Sequence, residues 1–512
     1  MKACLMYRDK DFIMKEGYPS NAADLIQDLE LSTLFDAMAA GDKFLLDVAD
    51  SAVLASLDDR NTIEYRQQVL ADCIAQPEIV RGLYATAVEA IERERKIWGW
   101  MSGKYPEGTL HRSVEVLEIF VVLLKKLKSV ADQHSTKFSS EGFRRFFEML
   151  THELDDGYLS TVDEHLERLR FRDGVLLSAR LGKGNRAENN VLLKTPYVAH
   201  GWLQRFQNWL GGLAGGESSG FVYEVHQRDE AGFRALSDIR SQGISHVAAA
   251  LAQSTDHILS FFSMLRLELG FYIGCLNLRD ILGRKGEAIC FPEVKAREAT
   301  ELSGKGIYDV CLNLSIGDRV VGNDLEAAET SLVIVTGANR GGKSTFLRSI
   351  GLAQLMMQCG MFVPAESFRA NICAGIFTHF KREEDRTLKS GKLDEELCRM
   401  RGIVDSITSH SIILFNESFA STNEREGSEI ARQIVLALRE EDIKVVYVSH
   451  MFDLANGFYL MNANDARFLR AERLIDGHRT FRVVPGEPLP TSYGEDLYRR
   501  IFEGGKAPLL ST

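Results

Sequence analysis

The residues best suited to chemistry lie in a glycine-rich stretch, GANRGGKST, which spans residues 337–345. It fits the pattern G-x-x-x-x-G-K-[ST], in which glycines let the backbone curl so that its N–H groups face phosphate oxygens. The stretch follows the apolar run SLVIVT and precedes a predicted helix, whose N-terminus adds positive potential. We predict a nucleotide site with ATP as its ligand. The predicted cofactor-binding residues are Gly337, Ala338, Asn339, Arg340, Gly341, Gly342, Lys343, Ser344 and Thr345. Lys343 would contact the β- and γ-phosphates, and the Ser344 hydroxyl would bind Mg²⁺.

A second set of polar residues ends two apolar runs farther along the chain. IILFN ends in Asn416 and is followed by Glu417, where a P-loop ATPase usually has two carboxylates. VVYVSH ends in His450. We expect Asn416 to hold a Mg²⁺-bound water through its amide oxygen, with weaker Mg²⁺ affinity because the amide has no charge. Glu417 is the candidate catalytic base, and His450 is placed to contact the γ-phosphate or the attacking water.

The pattern of predicted secondary structure changes near Pro292. Residues 21–170 and 229–282 show helical periodicity, with short β-like runs between them and a glycine-rich GGLAGGESSG at 211–220. Beyond Pro292, apolar strands alternate with helices, which predicts a largely parallel sheet covered by helices. We therefore predict a helical region over 1–290 with a small β insertion near 172–226. An α/β P-loop domain with a mostly parallel sheet and a short helical tail follows over 291–512.

Composition limits the classes of function. The formal net charge is −11, so any contact with DNA must come from local basic clusters rather than from the whole surface. The N-terminus lacks the pattern of a signal peptide, and the most apolar helical stretch contains Arg266 and Glu268, which favours a buried helix over a membrane span. The eight cysteines are scattered without zinc or disulfide spacing. Together these features predict a cytoplasmic protein with no membrane contact.

Several motifs together resemble the MutS family, the DNA mismatch-repair ATPases of the ABC-type P-loop class. VVGNDLEAAETSLVIVTGANRGGKST resembles the family's approach to its P-loop, normally G-P-N-M-G-G-K-S-T. CGMFVPAESFRANICAGIFTHF, VSHMFDL and TSYGEDLYRRIF are similar to the family's V-P-A…I-F-T, T-H-Y-F-E-L and S-Y-G segments. A weaker likeness to the family's helical core begins at LDDRNTIEYRQQ. The resemblance implies a helical core and lever region, an ABC-type ATPase domain, ATP with Mg²⁺, DNA as a ligand and a homodimer.

The chain also departs from the family's pattern. Helical core-like sequence starts near residue 25, so we expect the mismatch-reading and connector domains to be missing and the DNA clamp to be absent or reduced to the β-like stretch 172–226. The signature loop is shortened, with Ser390 as its best-placed hydroxyl, and SFASTNEREG keeps Thr422. The resemblance implies that Ser390 and Thr422 contact the nucleotide of a partner subunit. Val320 stands where the family has an aromatic that stacks on adenine.

Two classes of function remain open. The first is a slow ATPase of the MutS type, whose dimeric clamp on DNA is gated by nucleotide and which acts in DNA repair or recombination. The second is a nucleotide-gated binding or scaffold protein without useful turnover. Mg²⁺-dependent steady-state turnover separates them. The type of DNA, whether mismatched or branched, is left open.

Overall fold

The computed structural model describes residues 1–97, 106–171, 175–181, 187–193, 230–317, 319–382, 391–461, 465–474 and 478–489. The predicted glycine-rich loop at 211–220 and the predicted C-terminal tail lie outside these ranges. The helices before Pro292 are α1 (Ala22–Asp28), α2 (Leu31–Ala39), α3 (Lys43–Leu54), α4 (Arg60–Ala75), α5 (Pro77–Lys96), α6 (Pro106–His134), α7 (Glu141–Glu153), α8 (Asp156–Leu169) and α9 (Glu230–Lys285), with strands β1 (Leu177–Leu181) and β2 (Ala187–Leu192) between α8 and α9.

After Pro292, strands and helices alternate. They are β3 (Glu293–Lys295), β4 (Leu302–Ile307), α10 (Val310–Ser315), β5 (Asn323–Glu326), β6 (Leu332–Gly337), α11 (Lys343–Gln358), β7 (Ser367–Asn371), β8 (Ile376–Phe380), α12 (Lys392–Val404), β9 (Ile412–Asn416), α13 (Glu424–Glu440), β10 (Lys444–Val448), α14 (Phe452–Leu460), β11 (Ala466–Arg473) and β12 (Arg479–Pro485). The predicted order, a helical region followed by an α/β region, is confirmed.

Local sequence accounts for several helix starts. Pro77 and Pro106 are the first residues of α5 and α6, where the missing N–H removes no intrahelical hydrogen bond. Asp59 caps α4, because its side chain accepts hydrogen bonds from the backbone N–H groups of Asn61 and Thr62. The proline and aspartate positions therefore define helix boundaries that periodicity alone leaves imprecise.

The chain divides into two compact units whose segments interleave along the sequence. One contains Met1, 85–134 and 147–265, and the other contains 2–84, 135–146 and 266–512. In the first unit, Leu110, Val114 and Ile244 form a small buried cluster, and β1 pairs antiparallel with β2. The boundary near residue 290 stays a prediction, because the second unit takes in helices from both sides of it.

One stretch within the described residues, Ser237–Lys285 of α9, is long and apolar enough to cross a membrane by length and composition alone. Of its most apolar window, 61% is buried inside the protein. A core helix passes the same test of length and composition. The stretch is therefore weak grounds for a membrane span, in line with the charged Arg266 and Glu268 in its sequence.

Two sheets form the α/β region. The six-stranded sheet has the order β12-β11-β6-β10-β9-β8, and all its pairings are parallel except that of β11 with β12. Strands β6, β9 and β10 are almost wholly buried, which explains their continuous apolar runs. A second sheet, β3-β7-β4-β5, combines one parallel and two antiparallel pairings. The region is therefore α/β with mixed sheets, and the sequence patterns did not predict the second sheet.

The N-terminal segment is held inside the second unit by a buried carboxylate. Glu268 of α9 accepts hydrogen bonds from the backbone N–H groups of Leu5 (2.6 Å), Met6 (3.4 Å) and Phe12 (3.3 Å). Leu5, Met6 and Phe12 are themselves buried, and the Tyr272 hydroxyl donates to the Leu5 carbonyl at 2.6 Å. Burial raises the pKa of Glu268 to about 7, although the three backbone donors oppose the shift.

This carboxyl predicts a pH-dependent stability. Its folded-state pKa lies above the ordinary value of 4.5, so between these values the folded protein holds a proton that the unfolded chain has lost. The associated stabilisation is present below pH 4.5 and is lost as the pH rises through 7. The glutamine side chain of Glu268→Gln cannot ionise. We therefore expect the free energy of unfolding of the variant, relative to that of wild type, to increase by up to about 3 kcal/mol between pH 4.5 and 8.

Denaturant unfolding at a series of pH values measures this difference. Glu64→Gln, which removes an exposed carboxylate of α4, is the matched control and should follow wild type at every pH. A constant difference in unfolding free energy between Glu268→Gln and wild type across the range would contradict the expectation.

Candidate functional site

The glycine-rich loop connects β6 to α11 and has the curled backbone that its sequence predicts. Gly337, Arg340 and Gly342 all have positive φ, at 107°, 57° and 89°. At Gly337 a Cβ would lie 2.9 Å from the backbone nitrogen of Ala471, so only glycine fits between the loop and β11. Because the loop leads directly into the N-terminus of α11, its backbone can present N–H groups to an anion.

Lys343 is held at the base of this loop. Its ammonium group donates hydrogen bonds to the carbonyl oxygens of Gly337 (2.9 Å) and Ala338 (3.1 Å). Burial lowers the pKa of Lys343, and the Glu417 carboxylate opposes that shift. The first residue of α11 thus carries a mostly buried ammonium beside the loop backbone, as a phosphate contact requires.

Ser344 and Asn416 meet at the carboxyl edge of the sheet. The Ser344 hydroxyl donates to the Asn416 side-chain oxygen at 2.9 Å, which joins the start of α11 to the end of β9. Both groups present oxygen atoms, the donor type that Mg²⁺ takes, and neither carries a charge. Within the described part of the chain, no group of three or more His, Cys, Asp or Glu side chains is arranged to hold a metal ion. The two residues therefore fit a largely hydrated Mg²⁺ that a nucleotide would also bind.

Glu417 and His450 follow neighbouring parallel strands and lie close together. The Glu417 backbone has a φ of 55°, and its N–H donates to the Val448 carbonyl at 2.9 Å, so the chain turns sharply as β9 ends. His450 Nδ1 lies 3.9 Å from a Glu417 carboxylate oxygen, a separation suited to an ion pair when the histidine is protonated. The left-handed backbone at a non-glycine residue stores strain and directs the carboxylate toward the loop.

A cavity of about 400 Å³ adjoins the glycine-rich loop and Glu417, whereas Asn416 and His450 are not among its lining residues. Its lining includes the loop residues 339–345, Glu417, the apolar side chains of Ile316, Val320 and Phe481, and the polar Arg319 and Asn323. Phe481 is 51% exposed and lies on β12, far from the loop in sequence. The sequence places Val320 at the position of the aromatic that stacks on adenine, and it gave no signal for Phe481.

Asn323 positions Phe481 at this cavity. The Asn323 side chain accepts a hydrogen bond from the Val483 N–H at 2.7 Å and donates to the Phe481 carbonyl at 3.3 Å. It thereby ties β5 to β12. The N-D pair at 323–324 was the only signal in the sequence for this contact, and it did not identify the partner strand.

The turn that carries Glu417 rests on a buried polar network. The Ser418 hydroxyl donates to the His379 carbonyl at 2.5 Å and lies 2.7 Å from His379 Nδ1, and Tyr447 donates to the Ser418 carbonyl at 2.8 Å. Burial lowers the pKa of His379 to about 4, so this ring is neutral near pH 7. It stacks on Phe419. His379 and Ser418 lie in quoted sequence segments, but the sequence predicted no contact between them.

Two predicted nucleotide contacts stay predictions. Thr422 precedes α13, where its hydroxyl donates to Glu426 at 2.6 Å, and it does not line the cavity described above. Ser390 lies outside the described residues. Both were predicted to act on a partner's nucleotide.

The local basic clusters that are candidates for DNA contact include Lys125, Lys126, Lys128, Arg168 and Arg170. These residues form ion pairs with acidic neighbours in the first compact unit. The ion pairs are Lys125–Asp163, Lys126–Glu89, Lys128–Asp132, Arg168–Glu164 and Arg170–Glu118. Exposed pairs of this kind contribute little to stability, so a phosphate backbone can compete for the cations at modest cost. These clusters therefore stay candidates for DNA contact.

Comparisons with known proteins agree on one family. The model of the MutS2 N-terminal domain matches residues 58–285, and that of MutS domain V matches residues 333–495. The DNA mismatch repair protein MutS of Thermus aquaticus is 35% identical over 179 residues, which cover 35% of this chain and 22% of that protein. Endonuclease MutS2 of Lacticaseibacillus casei is 30% identical over 204 residues, 38% of this chain and 25% of that protein.

A third relative, the DNA mismatch repair protein MutS of Desulforamulus reducens, is 33% identical over 183 residues, 35% of this chain and 21% of that protein. The aligned stretches thus span about a quarter or less of each of these relatives. Two family models matching separate parts of the chain, with relatives of the same name, lead to one conclusion: the chain belongs to the MutS family.

Proposed function

We propose that this protein binds ATP and DNA, and that slow ATP hydrolysis gates a dimeric clamp on DNA in repair or recombination. The observation that carries the proposal is the arrangement of Lys343, Ser344, Asn416 and Glu417 around one loop and one sheet edge. Relatives named as DNA mismatch repair proteins support a role in DNA repair. Their aligned portions are short, so DNA binding, dimer formation and a cytoplasmic location belong to the proposal.

Each residue has a separate task in this mechanism. The loop backbone and Lys343 bind the phosphates, and the wall of Ile316, Val320 and Phe481 offers an apolar surface to the base. Ser344 and Asn416 would hold Mg²⁺, which when bound supplies positive charge to the phosphate oxygens. Glu417 accepts a proton from the attacking water as general base. His450, beside Glu417, orients that carboxylate or the water.

The runner-up function is a nucleotide-gated binding or scaffold protein without useful turnover. Asn416 favours this alternative, because an amide in place of a carboxylate weakens the hold on Mg²⁺. In both functions, Ser390 and the loop 418–427 would face the γ-phosphate of a partner subunit in a symmetric dimer. Turnover, rather than nucleotide binding, separates the two functions.

The first prediction concerns nucleotide binding. Lys343→Ala removes a cation from the phosphate site, and loss of a charge-assisted contact should weaken the binding of a fluorescent ATP analogue roughly 10- to 100-fold. Lys305→Ala, at an exposed lysine of β4, is the control and should bind like wild type. Equal affinity of Lys343→Ala and wild type would contradict the nucleotide site.

The second prediction separates the two residues at the end of β9. Glu417→Gln should retain ATP and slow hydrolysis by about 10²–10⁴-fold, because no side chain then accepts the proton of water. Asn416→Asp should increase the Mg²⁺ dependence and leave hydrolysis equal or faster. Single-turnover hydrolysis measures both, with Glu440→Gln as an exposed control on α13. If Glu417→Gln hydrolysed ATP at the wild-type rate, the role of Glu417 as general base would be wrong. The nucleotide-gated binding or scaffold function would then remain.

The third prediction tests the DNA ligand. We expect binding to homoduplex, mismatched or branched DNA that changes with ATP and weakens steeply with salt, because phosphate contacts release counterions. Fluorescence anisotropy with each DNA, with and without ATP, makes the measurement. The Lys343→Ala variant should bind DNA without the response to ATP. Absence of binding to all three DNAs at low salt would overturn the DNA part of the proposal.

A further inference from the structure

Strand β12 is irregular where it passes the glycine-rich loop. Between the antiparallel pairs Ala471–Val483 and Arg473–Arg479, strand β11 has one residue and β12 has three, residues 480–482. The extra residues form a bulge in β12, which is the edge strand of the six-stranded sheet. Bulges are frequent at sheet edges and beside active sites, where they redirect a side chain. The bulge therefore marks this stretch of β12 as a candidate functional feature.

Phe481, at the centre of the bulge, has a backbone conformation that few bulky residues adopt. Its φ is 59°, in the left-handed region. Its neighbours fix this conformation, because the Arg482 N–H donates to the Thr480 hydroxyl oxygen at 3.2 Å and that hydroxyl donates to Glu472 of β11 at 2.7 Å. Asn323 of β5, only 7% exposed, donates to the Phe481 carbonyl at 3.3 Å. Strain of this kind persists only where the surroundings impose it, and it concentrates at functional sites.

The bulge brings Phe481 against the start of α11. A Cβ built on Gly342 would lie 3.4 Å from the Phe481 carbonyl oxygen and 3.5 Å from the Phe481 Cβ. Because Gly342 precedes Lys343, the Phe481 side chain begins beside the predicted phosphate site. Phe481 is 51% exposed and is the one aromatic among the described residues that line the cavity of about 400 Å³. The other apolar side chains in that lining, Ile316 and Val320 among them, are aliphatic.

An exposed aromatic ring beside a phosphate site suits a nucleobase. A half-exposed phenylalanine gives up part of the stabilisation that burial would provide, whereas every nucleobase has a π-face that such a ring can cover. We propose that Phe481 is the residue on which the base of the bound nucleotide stacks, and that the bulge in β12 sets its position. This role rests on the proposed nucleotide site, in which the loop and Lys343 bind the phosphates.

The experiment separates contacts to the base from contacts to the phosphates. Isothermal titration calorimetry measures the affinity of the full chain for a non-hydrolysable ATP analogue and, separately, for inorganic tripolyphosphate, which has no base. Phe481→Ala should weaken binding of the ATP analogue about 5- to 150-fold, the range for loss of a base–aromatic stack, and leave tripolyphosphate affinity unchanged. Phe481→Tyr keeps the ring and should bind both ligands like wild type. Phe291→Ala, at another exposed phenylalanine outside the cavity lining, is the matched control and should change neither affinity.

The outcomes distinguish a base contact from a supporting role. Unchanged affinity of Phe481→Ala for the ATP analogue would overturn the proposal. An equal loss of affinity for both ligands would also overturn it, since Phe481 would then only support the loop at Gly342. Lys343→Ala, by contrast, should weaken the binding of both ligands. If wild type binds neither ligand, the proposed nucleotide site itself fails, so the two failures are distinguishable.

Two further variants cover the case in which Phe481→Ala does not fold. Phe481→Gly removes the ring and adopts the left-handed backbone without strain, so it should show the same loss for the ATP analogue alone. In Phe481→Trp, the ATP analogue should quench indole emission beyond the change seen with the four tryptophans of wild type, and tripolyphosphate should not. Absence of this quenching in a Phe481→Trp protein that binds the analogue would contradict stacking.

Discussion

Parallel pairing of β9 with both β8 and β10 is the constraint on which the site depends. In this register Asn416 lies opposite Val448 on one side and Phe380 on the other, so all three strands end at the same edge. Strand β6 joins β10 in the same direction and delivers the glycine-rich loop to that edge. A slip of one residue in this pairing would move Asn416 and Glu417 away from their positions beside the end of β10, so the site depends on the register.

The helix that follows the loop, α11, contacts residues distant in sequence near both of its ends. Near its start, Arg348 pairs with Glu30 and Asp309. Just past its end, the Cys359 carbonyl accepts a hydrogen bond from Arg66 of α4 at 3.3 Å. Arg66 is fully buried, stacks over the Tyr7 ring and also donates to the Met6 carbonyl. Removal of Arg348 would leave the fully buried Asp309 carboxylate without its counter-ion.

Charge is distributed unusually around the loop. The phosphate side has Lys343, whose pKa is lowered by burial, and the metal side has a neutral serine and a neutral asparagine. Ser344 and Asn416 also line a cavity of about 420 Å³ whose lining includes the carboxylates of Asp28 and Glu30 and the cations of Arg348, Lys381 and Arg382. Charged side chains from the N-terminal helical region therefore lie in the same cavity lining as the start of α11 and the end of β9.

The sequence by itself determined the local features of this protein. Glycines in the loop, the polar pair Asn416-Glu417 and His450 at strand ends, and the change from helical to alternating periodicity were all readable, because backbone preference and apolar period act over a few residues. Only the tertiary structure decided the rest. Asn323 holds the Phe481 backbone beside β5, Asp28 of α1 lines one cavity together with Ser344 and Asn416, and the four-stranded sheet joins short strands separated by other elements. Such contacts connect residues that lie tens to hundreds of positions apart, and no local pattern encodes which distant surfaces bury one another.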